Sequence, residues 1–164
     1  KVFENYQDTV LLVDKGEKQV SSTVGHSLMN GHPFAESRFN QAHENLGKIK
    51  QALIEGDLKT FNAIVESEAL TLHAMMMTSN PYFMLFKPNT VEIIQKVWAF
   101  RQQTPLNLVI TLDAGANVHL LYPKEESNRI MKFIESDLVG FCQNGQYICD
   151  EVGGGPTLLN ENYA

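Results

Sequence analysis

The sequence predicts an α+β domain whose strands form one sheet of the split β-α-β-β-α-β kind, with extra helices in the first crossover. Three observations lead there. Short β-branched or alternating runs occur near residues 8–13, 106–112, 118–122 and 147–152. Between the first two runs lie three stretches with apolar residues every three or four positions, the period of an amphipathic helix. A single stretch of the same period separates the last two runs.

In chain order, Asp8-Thr9-Val10-Leu11-Leu12-Val13 reads as a strand, Asp14-Lys15-Gly16-Glu17 as a turn, and Gln19-Val20-Ser21-Ser22 as a second short strand. Ala35, Phe39, Ala42, Leu46, Ile49 and Leu53 share one helical face, and Gly56 ends that helix. Asp57 caps the next helix, whose inward face is Leu58, Phe61, Val65, Ala69, Leu72 and Met76 and which stops at Asn80-Pro81. The two form an antiparallel hairpin. Asn89 or Thr90 caps a third helix carrying Val91, Ile94, Val97 and Trp98, which finishes before Pro105. Leu106, Leu108, Ile110 and Leu112 then alternate with less apolar residues as in a half-buried strand, paired with residues 118–122 across Asp113-Ala114-Gly115-Ala116-Asn117. Residues 125–141 are helical, with Ile130, Phe133, Ile134, Leu138 and Phe141 inward, and Tyr147, Ile148 and Val152 mark the last strand. The result is a ferredoxin-like sheet with added helices, in one domain over residues 1–164.

Composition narrows the function. Hydrophobic residues make up 43% of the 164 and charged ones 20%, which is ordinary for a globular chain of a size that buries one core. No window offers the ~20 apolar residues of a membrane span. Thirteen Lys and Arg against nineteen Asp and Glu give a net charge of -6, with the basic residues scattered, so neither nucleic acid nor membrane is expected as a partner. Cys142 and Cys149 are too few for a disulfide scaffold and not spaced as C-x-x-C; two buried thiols in a reducing cytoplasm are the expectation. Lys1 stands where an initiator Met would, and no signal-peptide regions follow, so the chain reads as part of a longer polypeptide.

Several motifs are excluded by spacing. His43-Glu44 opens like H-E-x-x-H, but the second ligand position is Gly47. A calcium loop starting at Asp113 would need Glu where Lys124 stands. Neither a P-loop nor G-x-S-x-G is present. His73 and His119 read as packed or edge residues, whereas His26 and His32 sit in a polar loop. No metal ligand set emerges. What remains is Asp113, a carboxylate at the end of an apolar strand where it could be aimed at a reacting hydroxyl. The hydroxyl cluster Ser21-Ser22-Thr23-Val24-Gly25 resembles an anion site, or a turn. Arg38 lies one position off the apolar stripe in the first turn of its helix, and Gly153-Gly154-Gly155-Pro156 could admit a phosphate or form a flexible exit.

These segments resemble the diphosphomevalonate decarboxylase family of the GHMP kinase superfamily. Lys18-Gln19-Val20-Ser21-Ser22-Thr23-Val24-Gly25 is similar to the family's K-x-V-S-S-T-x-G-M, and Leu112-Asp113-Ala114-Gly115-Ala116-Asn117 to its D-A-G-P-N. Phe34 and Arg38, Leu72-His73-Ala74, Asn80-Pro81 and the final Gly-Gly-Gly-Pro extend the likeness over nearly the whole chain. His26 stands where the family usually has Met and Ala116 where it has Pro. The resemblance implies the C-terminal, GHMP-type half of an enzyme whose upstream half carries the ATP loop. It implies ATP-dependent decarboxylation of mevalonate diphosphate to isopentenyl diphosphate, with ATP and Mg²⁺ held mainly by that upstream half. Asp113 would orient or deprotonate the 3-hydroxyl, Ser22 and Thr23 would lie near the substrate diphosphate, and Arg38 would be a further substrate contact. A homodimer in the cytoplasm is the family expectation. Alternatives are a related enzyme acting on mevalonate or its monophosphate, as kinase or decarboxylase, and a non-catalytic domain of the same fold.

Overall fold

The computed structural model describes residues 2–16, 25 and 27–155; the expected strand at residues 19–22 lies outside them. The elements are β1 (Gln7–Leu11), α1 (Ala35–Glu55), α2 (Leu58–Met77), α3 (Pro88–Gln103), β2 (Val109–Thr111), β3 (Val118–Tyr122), α4 (Ser127–Phe133) and β4 (Tyr147–Glu151). Strand order is β2-β3-β1-β4 with every neighbouring pair antiparallel, so β3 and β1 are central and β2 and β4 form the two edges. This is the split β-α-β-β-α-β sheet, with α1, α2 and α3 all in the first crossover.

The register decides which side chains meet. Thr9 faces Leu120, Leu11 faces Val118 and Ile110 faces Leu120, which places these residues and Tyr122 on one side of the sheet. Ile93, Ile94 and Val97 of α3 and Ile130 of α4 cover that side, continued by Ile134 and Leu138, and together they form the main core. Thr9, the buried polar side chain of β1 on that side, is satisfied there by the Tyr122 hydroxyl at 2.7 Å. The opposite side is packed by the α1–α2 hairpin, where Ala52 and Phe61 meet Tyr6 and Val109. Residues 106–112 therefore depart from the expected alternation. Only Val109–Thr111 forms ladder, and Val109 and Ile110 are both fully buried because helices lie on both sides of β2.

Helix boundaries follow local chemistry. Gly56 ends α1 in the left-handed conformation (φ +75°), with its N–H on the Ala52 carbonyl at 2.9 Å, a backbone state that favours glycine. Asp57 caps α2 by accepting the Thr60 N–H at 3.1 Å. The start of α3 differs from expectation. Lys87 occupies the cap position and Pro88 the first turn, while Thr90 reaches back so that its hydroxyl accepts the Lys87 N–H at 3.2 Å. Thr90, Ile93, Ile94 and Val97 point inward; Val91 and Trp98 lie at the margin, Trp98 donating its indole N–H to Glu66.

Two faces are rotated from those expected. On α1, Phe39, Leu46 and Leu53 remain about half exposed, and the side toward α2 is instead a polar ladder in which Arg38 and Asn45 bond Glu68 and Gln41 bonds Ser67. On α2 the buried set is Phe61, Ile64, Ala69, His73, Met75 and Met76, with Leu72 outside. The expected single helix at residues 125–141 is α4 followed by a π-helical turn over Ile134–Leu138 and a 3₁₀ turn over Val139–Phe141. Residues spaced by four drift around an α-helix by about 40° per step. The wider turn takes up that drift and keeps Ile130, Ile134 and Leu138 all fully buried. Cys142 is buried as expected, but Cys149 is exposed, because β4 is an edge strand uncovered from Ile148 to Glu151.

Leu120→Ala should cost about 2–5 kcal/mol, the range for truncating a fully buried Leu, read as a lower midpoint in urea unfolding. Ile148→Ala on the open edge should stay within about 0.5 kcal/mol of the parent.

Candidate active site

Asp113 stands just beyond β2, after the buried Leu112, in the five-residue turn into β3. Its side chain is exposed at a cleft of about 140 Å³, whose remaining walls come from Asp14 and Gly16, Met84 and Leu85, and Lys87. The turn that carries it is fastened from three directions. The Asp113 carbonyl accepts the Gly115 N–H at 2.8 Å and lies 3.0 Å from Nε2 of His73 on α2. The Ala116 carbonyl accepts the buried Thr90 hydroxyl of α3 at 2.7 Å. Asn117 accepts the Asp14 N–H through Oδ1 at 3.0 Å. A side chain at position 115 would place Cβ 3.2 Å from Oδ1 of Asp113, so glycine there leaves the carboxylate its room.

Charge in the cleft is mixed. Asp14 accepts the Gly16 N–H at 2.8 Å, which, with Lys87 nearby, holds its carboxyl below the usual carboxylate range. Lys87 Nζ is 3.5 Å from the Asp14 carboxylate and partly exposed, a loose pairing that leaves an ammonium at the cleft wall. Behind the cleft, His119 on β3 lies 2.9 and 3.1 Å from the two oxygens of Asp8. The hydrogen bond to Asp8 raises the His119 pKa against the opposing effect of burial, and the negative charges of Asp8 and Asp113 add to the rise. His73 is the reverse case: burial lowers its pKa more than the Asp113 carbonyl and charge raise it.

The residues expected to form the site are only partly assembled. Ser22 and Thr23 lie outside the described residues, as do His26 and Pro156. Gly25, at the end of the hydroxyl cluster, lies beside Phe83, the chain neighbour of Met84 in the cleft wall. Arg38 is not brought to Asp113. It forms a paired contact with Glu68 at 2.5 and 3.3 Å and lines a different cavity, of about 290 Å³, with Phe34, Thr71 and Met75. His32, expected in a polar loop, is buried with Nε2 3.1 Å from both the Met75 carbonyl and the Thr78 hydroxyl, a clasp on the end of α2. Gly153, Gly154 and Gly155 are exposed, and a Cβ on any of them would meet nothing within 4 Å. Lys87 and the His73 tether were missed in the sequence. Thr90 was visible there as a capping residue, but its bond to Ala116 spans 26 positions and carries no local signal.

The two histidines should leave opposite marks on stability. His119, with its folded pKa raised, contributes stability that is full below its unfolded value of 6.5 and is lost as pH rises through the folded value. His73, with its pKa lowered, contributes fully above 6.5 and loses as pH falls. In urea unfolding across pH 5.5 to 8 (about one to one and a half units either side of a free imidazole), the advantage of the parent over His119→Gln should shrink as pH rises. An advantage constant with pH would show that the Asp8 pairing does not act on the His119 proton.

Comparison with known proteins identifies the family. Residues 9–159 match the model of the mevalonate 5-diphosphate decarboxylase C-terminal domain family. The chain is 24% identical over 140 residues to the phosphomevalonate decarboxylase of Haloferax volcanii, covering 82% of this chain and 40% of that protein. It superposes on the crystal structure of a mevalonate diphosphate decarboxylase from Legionella pneumophila with a TM-score of 0.79 at 28% identity, covering 89% of this chain and 45% of that one. A further structure, MDDEF in complex with MVAPP, AMPPCP and magnesium, shares the fold at a TM-score of 0.79 and 21% identity, over 89% of this chain and 43% of the other. The chain thus spans less than half the length of these relatives. With a family match over almost its entire length and the D-A-G turn fastened at the mouth of a cleft, the chain belongs to the mevalonate 5-diphosphate decarboxylase C-terminal domain family.

Proposed function

We propose that this chain is the acceptor-side domain of an ATP-dependent decarboxylase that converts mevalonate diphosphate to isopentenyl diphosphate, ADP, phosphate and carbon dioxide. The observation that supports this most is the placing of Asp113: an exposed carboxylate on a turn fastened to α2, α3 and the Asp14 segment, facing a cleft whose described lining includes Lys87. A carboxylate so held is suited to accept the proton of a 3-hydroxyl and to keep its oxygen directed at the group being transferred. Lys87 offers a point charge suited to a phosphate oxygen.

ATP supplies the phosphoryl group that turns the tertiary hydroxyl into a leaving group, and Mg²⁺ offsets the charge of the phosphates. Among the described residues Lys87 is the cation of this cleft, and Asp113 and Asp14 are the carboxylates that would offer Mg²⁺ part of its oxygen coordination. That set would meet part of a phosphate chain, and in this reading the rest of the nucleotide site is supplied from outside this chain. The complex solved with MVAPP, AMPPCP and magnesium supports the same substrate and cofactors. Ser22 and Thr23 serve the diphosphate in this reading; they precede Gly25, which lies beside Phe83, by three and two residues. Arg38, engaged by Glu68, does not enter it. The name of the Haloferax relative favours one second reading, in which the acid carries a monophosphate.

Carbon dioxide and ADP release by the full-length protein on mevalonate, its monophosphate and its diphosphate distinguishes these readings; ADP without carbon dioxide would indicate a kinase. Asp113→Asn should lower kcat by about 10²–10⁴-fold, the range for loss of a general base, and leave KM for the acid nearly unchanged. Both products should fall together, because decarboxylation needs the phosphate as leaving group. A variant within a few-fold of normal kcat would make Asp113 a turn residue.

Ser22→Ala removes a hydroxyl proposed to donate to a charged oxygen, worth roughly 1.5–3 kcal/mol. KM for the acid should rise accordingly while KM for ATP holds. An unchanged KM for the acid would reduce residues 21–23 to a turn.

A further inference from the structure

We propose that His73 is a positioning residue for Asp113: its imidazole, held between the Phe86 ring and the backbone of the 113–117 turn, sets where that carboxylate stands. The proposal rests on the reading of Asp113 given above.

His73 lies on the buried side of α2 with 2% of its surface exposed. One flat face is stacked on Phe86, ring centres 4.5 Å apart and planes 13° from parallel. Nε2 is 3.0 Å from the Asp113 carbonyl oxygen. A carbonyl only accepts, so Nε2 carries the proton and donates it. Burial lowers the imidazole's pKa, in keeping with a neutral ring of fixed tautomer near pH 7.

The geometry does more than fill space. The Asp113 carbonyl takes two donors, the Gly115 N–H from within the turn and His73 from outside it. Two donors at one oxygen fix the plane of the peptide after Asp113, and with it the direction in which Cα projects Cβ and the carboxylate. The stack extends the same control across the cleft, because Phe86 is the neighbour of Lys87. A single ring thereby ties the wall bearing the carboxylate to the wall bearing the ammonium. An aliphatic side chain in its place could pack against Phe86 but could not donate, leaving the carbonyl to the Gly115 bond alone. A shift of about 1 Å in a reacting group is enough to cost on the order of 10²-fold in rate.

The test uses the full-length protein and three substitutions. His73→Leu and His73→Met remove the donor, two variants so that one poorly folding protein does not decide the matter; His73→Gln keeps an N–H donor of similar reach. Two readouts are taken on each: steady-state kinetics with mevalonate diphosphate and ATP, and amide hydrogen exchange across residues 113–117. We expect Leu or Met to lower kcat by about 10–100-fold, leave both KM values within about threefold and speed exchange in the turn. Gln should restore kcat to within about fivefold of the parent and return slow exchange. The proposal is overturned if exchange in the turn is unchanged without the donor, if the turn loosens while kcat holds, or if Gln behaves as Leu does. A parent protein that turns over none of the mevalonate acids would remove the decarboxylase reading alone, and the exchange rates would then decide whether His73 fixes the turn.

Discussion

Burial of one side of the sheet under α3 and the α4 segment is the constraint on which the rest of this domain depends. Leu11, Ile110, Val118, Leu120 and Tyr122 must share that side, so the register between β1, β2 and β3 cannot slip by one residue without turning the core outward. The β2–β3 turn is then fixed in place by strands that have no freedom to move. Asp113 is three residues past the fully buried Ile110, and Ala116 is itself buried, so the catalytic candidate hangs from the core by a very short lever. A site so built combines an exposed carboxylate with a backbone fastened by hydrogen bonds from α2, α3 and the Asp14 segment.

The same core explains why the helices attach where they do. Thr90 begins the buried face of α3, and its hydroxyl accepts from Lys87 while donating to Ala116, so one side chain starts a helix and pins the turn. His73 plays the corresponding part from α2. The cleft is therefore bounded by elements that are distant in sequence yet joined through buried polar contacts, each satisfied, which is how polar groups can lie inside without loss of stability. The α1–α2 pair is held differently, by the Glu68 network with Arg38 and Asn45. That network holds Arg38 on the α1–α2 seam, beside a cavity other than the one at Asp113. Two of the Arg38 nitrogens are held by the Glu68 carboxylate, while Nε is buried with no hydrogen-bond partner among the described residues.

Much of this architecture is legible along the chain. The 3.6-residue and two-residue periods locate the helices and the hairpin, Gly56 and Asp57 mark the helix junction, and Leu112-Asp113-Ala114-Gly115 picks out the turn that matters. These signals are local, arising within one or two turns of backbone, and local physics decides them. The apolar stripe of α1 was misleading for the same reason. Periodicity reports that a helix has an apolar side, not which side its neighbour will take, and α1 meets α2 through Arg38, Gln41 and Asn45 at its start and through Ile49 and Ala52 at its end.

The sequence by itself thus determined the element order, the split sheet and the carboxylate at the strand end, because backbone propensity, capping and hydrophobic period act between near neighbours. Only the tertiary structure decided which groups surround that carboxylate. The bonds from His73 to Asp113, from Thr90 to Ala116 and from Asp14 to Asn117 join residues 40, 26 and 103 positions apart. Such pairings are set by how layers stack once the core has closed, and no pattern within any one segment encodes them.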